Sequence, residues 1–240
     1  MAFIIDYLLQ DNHYMSILGI GVILGVAFLF SRHKKRIKLR LVFSAMIMQL
    51  ILSFIILKTT LGRDIFIQIS QGFKALYEFA DSGCAFVFGN LANASGPWGF
   101  IFAIKVVPVI IFFGALMSFM YHIGLVQILV KGLAWIIRPI LGTSGAETLS
   151  VAANSMLGQT EAPLLVRHYL ARMTNSEMLT VMVSGMAHLS GAIMAVYGMM
   201  GVPLVHLISA SIMAIPGAIL ISKILIPETA TPETMAGSNV

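Results

Sequence analysis

The sequence predicts an all-α protein that crosses a membrane several times, and two observations support this fold class. Of its 240 residues, 58% are hydrophobic and 10% are charged, whereas about a quarter of the residues in soluble domains are charged. The hydrophobic residues also come in runs of about 20, the length that a helix needs to cross a bilayer. We expect a polytopic membrane protein with about five transmembrane helices, interfacial helices and one re-entrant helical hairpin.

The five apolar segments predicted to span the membrane are 14–30, 41–57, 100–124, 175–201 and 202–225. Six Lys and Arg residues lie in the loop 31–40, so the positive-inside rule places this loop in the cytoplasm and the N-terminus, with Asp6 and Asp11, outside. The loop lacks the interleaved aromatic residues of a nucleic-acid surface. Membrane lipid headgroups are therefore its expected partner, and nucleic acid is not.

The remaining segments are predicted to lie at the interface or in solvent. Charges interrupt the helical pattern of 63–89, which favours a helix along the membrane surface, and 125–142 reads as an amphipathic helix. Lys105, near the start of the third span, is expected to snorkel towards the headgroups. The polar segment 226–240 is predicted to be an exposed linker.

The segment 147–172 is hydrophobic at both ends and polar in the centre, where NSMLGQTEAPLL (154–165) contains a glycine and a proline. A straight helix would place these polar groups near the bilayer midplane, at a cost of several kcal/mol, and would have to accommodate Pro163. We therefore predict two half-helices, 147–157 and 164–171, joined by a turn. Capping-box spacings at Ser144 and Thr174 predict the helix starts on either side.

Broken backbone at membrane depth is tolerated where it is buried in protein or lines a watery cavity, and its free polar groups bind substrates and ions. The hairpin is accordingly predicted to be a binding site. A static bundle, in which the same polar residues cap the half-helices, is the alternative. An enzyme is not expected: Glu161 has no second acid at comparable depth, and the histidines show no metal-ligand spacing. A non-transporting assembly or structural protein is the other class to be distinguished.

The segment GTSGAETLSVAANSMLGQTEAPLLVRHYLARMTNSEMLTVMVSGMA (142–187) resembles the concentrative nucleoside transporter family. The family pattern contains G-T-S-G-A-E, A-A-N and G-Q-T-E-A-P-L-L, and the resemblance covers essentially the whole chain. It implies a trimeric importer in a bacterial inner membrane, which moves nucleosides with a coupled cation by an elevator-like movement. Residues 1–142 would be scaffold-like, 143–225 would form the first half of a transport domain, and 226–240 would be a linker.

The resemblance also implies roles for individual residues. The nucleobase would be contacted by an amide, a hydroxyl and a carboxylate of the hairpin, which correspond here to Gln159, Thr160 and Glu161. The coupling ion would be held by side chains and carbonyls of the hairpin and the next helix, which correspond to Asn154, Leu157, His188 and Leu189. No other cofactor is implied.

The sequence departs from the family pattern in two places. His188 occupies a position where the family has a small hydroxyl residue. Sodium prefers oxygen ligands and imidazole titrates near neutral pH, so both sodium and proton coupling stay open. His188 could also simply bond to a neighbour while carbonyls hold the ion. The family's second hairpin, which contacts the ribose, has no counterpart here. We therefore expect a fragment or half-transporter that needs a C-terminal half, in the same chain or a separate one, for activity.

Overall fold

The computed structural model describes residues 13–93 and 95–235, and its elements in this part of the chain are helices joined by short turns. The helices are α1 (His13–Leu29), α2 (Leu39–Lys58), α3 (Thr60–Phe88), α4 (Phe102–His122), α5 (Leu125–Leu141), α6 (Gly145–Asn154), α7 (Ala162–Leu165), α8 (Arg167–Leu170), α9 (Asn175–Ala187), α10 (Gly191–Met199) and α11 (Leu204–Leu225). Three short 3₁₀ turns lie at Lys34–Arg36, Gly89–Ala92 and Glu233–Met235.

Four segments of the described residues are long and apolar enough to cross a membrane: Leu39–Lys58, Phe102–His122, Asn175–Met199 and Leu204–Leu225. A further apolar helix, α1, has 17 residues, slightly fewer than the roughly 20 that a spanning helix needs. The predicted fold class, an all-α polytopic membrane protein, is confirmed. Asp6 and Asp11, on which the predicted outside location of the N-terminus rests, lie outside the described residues.

The helix α11 is the central element of the bundle, because it packs against α2 on one side and α9 on the other. Ala45 of α2, Ile215 and Ile219 of α11, and Val151 of α6 belong to one buried core. The predicted span 202–225 is a continuous helix from Leu204 that passes through Pro216 without interruption. It therefore provides a long, rigid surface for the hairpin.

The amphipathic helix predicted at 125–142 is present as α5, and its apolar face covers the hairpin. Val126 and Val130 of α5 share a core with Ala152 of α6 and with Val166, which lies between α7 and α8. Gly142 then ends the helix in the left-handed conformation, with φ of 62°. The hairpin is thus packed on a helix that precedes it directly in the chain.

The helix predicted at 63–89 is present as α3, which packs against α4; its location along the membrane surface stays a prediction. The rings of Tyr77 and Phe113 lie 5.4 Å apart between centroids. Lys105 of α4 forms an ion pair with Asp81 of α3, so the prediction that Lys105 snorkels is wrong. A nearby carboxylate within reach neutralises the ammonium group, which removes the need to reach the headgroups.

One predicted span is interrupted and one predicted linker is partly packed. The span predicted at 175–201 is present as the apolar segment Asn175–Met199, but the chain is extended at His188 and α10 begins only at Gly191. The prediction of an exposed linker is corrected, because the segment 226–235 is only partly exposed: Thr234 is 2% exposed and Glu228 contacts Lys223. Both features depend on contacts that composition cannot reveal.

Candidate functional site

The root of the hairpin is the place where the chain enters it at Ser144 and leaves it at Thr174. A capping box fixes the chain at each of these two points. Ser144 Oγ accepts a hydrogen bond from Glu147 N at 3.3 Å, and the Glu147 carboxylate accepts one from Ser144 N at 2.8 Å. Thr174 and Glu177 make the same reciprocal pair at the start of α9. Both predicted helix starts are confirmed, because this signal is local and needs no tertiary partner.

The two capping boxes are joined into one buried polar cluster. Ser144 Oγ donates to the Glu177 carboxylate. Lys223 Nζ of α11 lies 2.7 Å from Glu147 Oε2 and 3.3 Å from Glu228 Oε2. Glu147, Glu177 and Lys223 are at most 6% exposed, and buried charges are stable only when they are paired and hydrogen-bonded. The root is therefore tied to both α9 and α11.

Residues 233–235, near the end of the described chain, form further bonds to the root of the hairpin. Ala146 N, one of the free amides at the start of α6, donates to Thr234 Oγ1 at 3.1 Å. Arg138 of α5 donates to the carbonyls of Thr234 and Met235, each at 3.1 Å. Arg172, at the exit of the hairpin, lies 2.8 Å from Glu233 Oε1. The segment 226–235 therefore bonds to both ends of the hairpin.

The tip breaks the backbone as predicted. The first arm is helical to Asn154, after which Met156 N and Leu157 N both donate to Ala153 O, at 3.0 and 2.7 Å. Glu161 N donates to Gly158 O at 3.0 Å and closes the turn. A side chain from a neighbouring helix holds the turn, since Ser211 Oγ of α11 donates to Ser155 O at 3.0 Å.

The return arm differs from the single half-helix predicted at 164–171. It consists of two one-turn helices, α7 and α8, that are separated at Val166. Val166 N donates to Pro163 O at 3.1 Å, and Tyr169 N to Val166 O at 2.9 Å, both i→i+3 bonds. This tighter winding fits the burial of Val166 against α5, and it is common in short helical connections.

The interruption between α9 and α10 faces this tip. His188 adopts an extended conformation (φ −108°, ψ 151°) and Ser190 caps α10. The His188 ring contributes to ending α9, because Nδ1 lies 2.8 Å from Ser184 O, the same carbonyl that accepts from His188 N. The chain thus has two broken segments at one place, one in the hairpin and one in the following span.

The two broken segments are in contact through glycines. A Cβ atom at Gly185 would lie 3.3 Å from Gln159 Cβ, and one at Gly158 would lie 3.5 Å from Ser190 Cβ. The absence of a side chain at Gly185 therefore allows the tip of the hairpin to rest on the last turns of α9.

Two of the four predicted ion-binding residues meet at Ser184. Asn154 Nδ2 donates to Ser184 Oγ at 2.7 Å, and the His188 ring bonds to the Ser184 carbonyl. A carbonyl only accepts, so Nδ1 carries the proton in this bond, and Nε2 of the neutral ring has a free lone pair. Among the described residues, Asn154 Oδ1 and His188 Nε2 are buried without a hydrogen-bond partner. Both unpaired atoms are thus acceptors.

The other two predicted ion-binding residues, Leu157 and Leu189, flank these acceptors in the chain. Within the described part of the chain, no backbone amide donates to the carbonyl of either residue. The four groups are two carbonyls, an amide oxygen and an imidazole nitrogen, which are types of atom that bind cations or a proton. The nitrogen suits sodium less well than a fourth oxygen would.

The predicted nucleobase-binding residues lie on the open side of the tip. Gln159 and Thr160 are exposed, and Glu161 is partly buried. Glu161 lines a cavity of about 470 Å³ between the hairpin and α4, together with Ser118 and Tyr121. Gln159 and Thr160 do not line this cavity, so the described residues bring only one of the three to its wall.

Sequence reasoning missed Ser184, which connects Asn154 to His188, and Ser211, which holds the turn. Each is a serine in the middle of an apolar helix, and each is at most 4% exposed. A hydroxyl inside a membrane helix usually bonds to a carbonyl of its own helix. The sequence alone therefore gives no reason to assign such a residue to a site.

Spanning helices together with a helical hairpin that faces an interrupted helix are typical of one class of protein, the secondary transporters that bind cargo at broken helices. Comparisons with known proteins agree. The family model described as the N-terminus of Na⁺-dependent nucleoside transporters matches residues 18–91, and the one described as nucleoside recognition matches residues 103–204. The chain belongs to the concentrative nucleoside transporter family and matches its N-terminal part.

Curated relatives include an uncharacterized transporter of Haemophilus influenzae, which is 43% identical over 89% of this chain and 51% of its own length. The nucleoside permease NupC of Helicobacter pylori is 38% identical over 94% of this chain and 55% of its own length. Sodium/nucleoside cotransporter 2 of Rattus norvegicus is 36% identical, over 93% of this chain and 33% of its own length. The chain thus spans about half, or less, of the length of these relatives.

Solved structures show the same fold. CNTnw in an inward-facing, substrate-bound state superimposes with a TM-score of 0.86 at 42% identity, covering 91% of this chain and 54% of CNTnw. A variant of CNTnw in an outward-facing state gives a TM-score of 0.87 at 40% identity, covering 93% and 55%.

Proposed function

We propose that this protein provides the nucleobase-binding and ion-binding half of a cation-coupled nucleoside importer. One observation carries the proposal: the hairpin tip rests on an interrupted helix, where Asn154 Oδ1 and His188 Nε2 are buried acceptors without partners. Family membership supports the substrate class, since named relatives are nucleoside permeases and sodium/nucleoside cotransporters. The named relatives also disfavour the alternative, a non-transporting assembly protein.

In this proposal the nucleobase lies against the tip of the hairpin. The Gln159 amide can donate and accept, the Thr160 hydroxyl adds a second bond, and the Glu161 carboxylate accepts from a base N–H. The cavity beside Glu161 provides room next to α4. The ribose contacts would come from a second half, in the same polypeptide or a separate one, and nucleoside preference would be set there.

The cation is proposed to bind at Asn154, Leu157, His188 and Leu189. Sodium would use the amide oxygen and the two carbonyls, with His188 held aside on Ser184 O. A proton would instead bind His188 Nε2, the free lone pair. Sodium coupling is supported by the named cotransporters among the relatives, and proton coupling by the imidazole itself. Sodium and a proton would thus use the same four residues.

The movement is proposed to be of the elevator type, in a homotrimer in a bacterial inner membrane with the N-terminus outside. Residues 143–225 would be part of the moving transport domain and most of 1–142 part of the scaffold. Because α5 shares a buried core with the hairpin, we propose that α5 moves with the hairpin. The segment 226–235 would move with it too, since it bonds to both ends of the hairpin.

The test of nucleobase binding uses membranes in which the chain is produced with a C-terminal counterpart. Glu161→Gln should weaken binding of a radiolabelled nucleoside about 30-fold, because a hydrogen bond to a charged group contributes roughly 2 kcal/mol. Glu78→Gln, the same change at an exposed position of α3, is the control. Unchanged binding in Glu161→Gln at equal membrane abundance would contradict the assignment.

The coupling ion is tested in proteoliposomes of the same assembly. Uptake is measured with a sodium gradient at constant pH, and with a pH gradient at constant sodium. Proton coupling predicts uptake that follows the pH gradient and is lost in His188→Ser. Sodium coupling predicts the reverse dependence, with His188→Ser at least as active as the parent, because a hydroxyl replaces the nitrogen. Uptake that follows neither gradient would rule out this cation site.

A further inference from the structure

An apolar groove lies between α2, α5 and α11, separate from the hairpin tip. Its volume is about 430 Å³, within the range of roughly 300–1,000 Å³ for small-molecule sites. Ser44 is the one polar residue among those that line it, and the Ser44 hydroxyl lies 3.1 Å from the Leu41 carbonyl of its own helix. The groove therefore presents a hydrocarbon surface to its occupant.

The groove is open towards the membrane. Ile47 and Ile51 of α2 and Ile136 and Ile140 of α5 line it, and they are between 49% and 55% exposed. Because α2 and α11 are long and apolar enough to span the bilayer, we expect these residues to be accessible to acyl chains. Ile51 follows Arg40 by roughly 16 Å along the helix, at 1.5 Å per residue. This is about the depth of one leaflet.

A positive charge stands at the polar end of the groove. Arg40, Ser44, Ile47 and Ile51 follow one another at i, i+4, i+7 and i+11, so they share one face of α2. Arg40 is exposed, and within the described residues no carboxylate forms an ion pair with it. The basic loop before α2 adds five more exposed Lys and Arg residues at 32–38.

We propose that the groove and Arg40 bind one anionic phospholipid of the cytoplasmic leaflet. The phosphate bonds to the Arg40 guanidinium, whose paired N–H groups match a phosphate, and one acyl chain follows Ile47 and Ile51 along α5. The positive charge selects an anionic over a zwitterionic headgroup. The lipid fills the junction between α2 and α5, the helix on which the hairpin packs.

The charge of the site is tested by native mass spectrometry of the purified chain in mild detergent, titrated with phosphatidylglycerol or phosphatidylcholine. Arg40→Gln should reduce retention of phosphatidylglycerol at least about tenfold. Lys35→Gln removes the same charge from the basic loop before α2, away from the groove, and should have less than about a fivefold effect. Equal losses in both variants, or equal retention of the two lipids by the parent, would overturn the proposal.

The groove is tested by filling it without a change of charge. Ile47→Trp should expel the lipid, whereas Leu50→Trp, at a residue of α2 that is 66% exposed and outside the groove, should not. Ile136→Trp gives the same expectation from α5 if Ile47→Trp does not yield folded protein. Retention by both groove variants would overturn the proposal. So would loss of the lipid when the chain is assembled with a C-terminal counterpart, because protein would then occupy the groove.

Discussion

The substitution Ser184→Ala removes the hydroxyl that accepts from Asn154 and keeps the backbone carbonyl that bonds to His188. Ser184 Oγ accepts from Asn154 Nδ2 at 2.7 Å and donates to Val181 O at 2.9 Å. Both Ser184 and Asn154 are at most 1% exposed, so the Asn154 amide would be left buried with an unpaired N–H. An unsatisfied buried group costs about 1–3 kcal/mol. We expect a loss of about 2 kcal/mol and a less well-positioned Asn154 Oδ1.

Ser222→Ala is a matched control. Ser222 is also fully buried, bonds to the Ile219 carbonyl three residues earlier, and contacts a partner on another helix, Thr180 Oγ1, at 2.9 Å. Thr180 keeps its own bond to Ser176 O in the variant, so no polar group is left unpaired. We expect Ser222→Ala to cost about 1 kcal/mol or less.

The assay is thermal unfolding in detergent at a series of sodium concentrations and pH values. A loss of 1 kcal/mol lowers Tm by about 2–4 °C in a chain of this size, so Ser184→Ala should lower Tm by about 4–8 °C. A bound cation raises Tm with its concentration, and this dependence should be weakened in Ser184→Ala and retained in Ser222→Ala. The same cation dependence in both variants would refute the role of Ser184.

Two more predictions test the hairpin at its tip and its root. Gly185→Val places a branched side chain where even a Cβ would lie 3.3 Å from Gln159 Cβ. Nucleoside binding, measured by equilibrium dialysis, should therefore fall about tenfold or more at unchanged protein abundance. Full binding would contradict the close contact. Lys223→Met leaves Glu147 buried without its ion partner, which costs about 3–5 kcal/mol. Size-exclusion chromatography should therefore show loss of monodisperse protein, with partial recovery in Lys223→Met combined with Glu147→Gln.

Sequence signals that are local in the chain predicted the structure well. The capping boxes at Ser144 and Thr174 were predicted because the interacting residues are three positions apart. The break at Gly158–Pro163 was predicted because proline and buried polar residues both disfavour a continuous helix. The site residues were assigned from a family resemblance, and their roles stay predictions.

Features that depend on distant residues were not predicted. The interruption at His188 lies between two apolar segments, and the tip of the hairpin, some 30 residues earlier, packs against it. The segment 226–235 is polar, which favours exposure, yet Thr234 bonds to Ala146 and Arg138. Lys105 was assigned to the headgroups because its partner Asp81 could not be placed beside it from the sequence.

The contact between Thr234 and Ala146 spans 88 positions of the chain, and this has a consequence for biosynthesis. When the ribosome has completed the return arm at Arg172, about 60 residues are still needed before Thr234 exists. At roughly 5–20 residues per second, this takes about 3–12 s. The hairpin is therefore complete several seconds before Thr234 can bond to Ala146, so its root lacks this support during that interval.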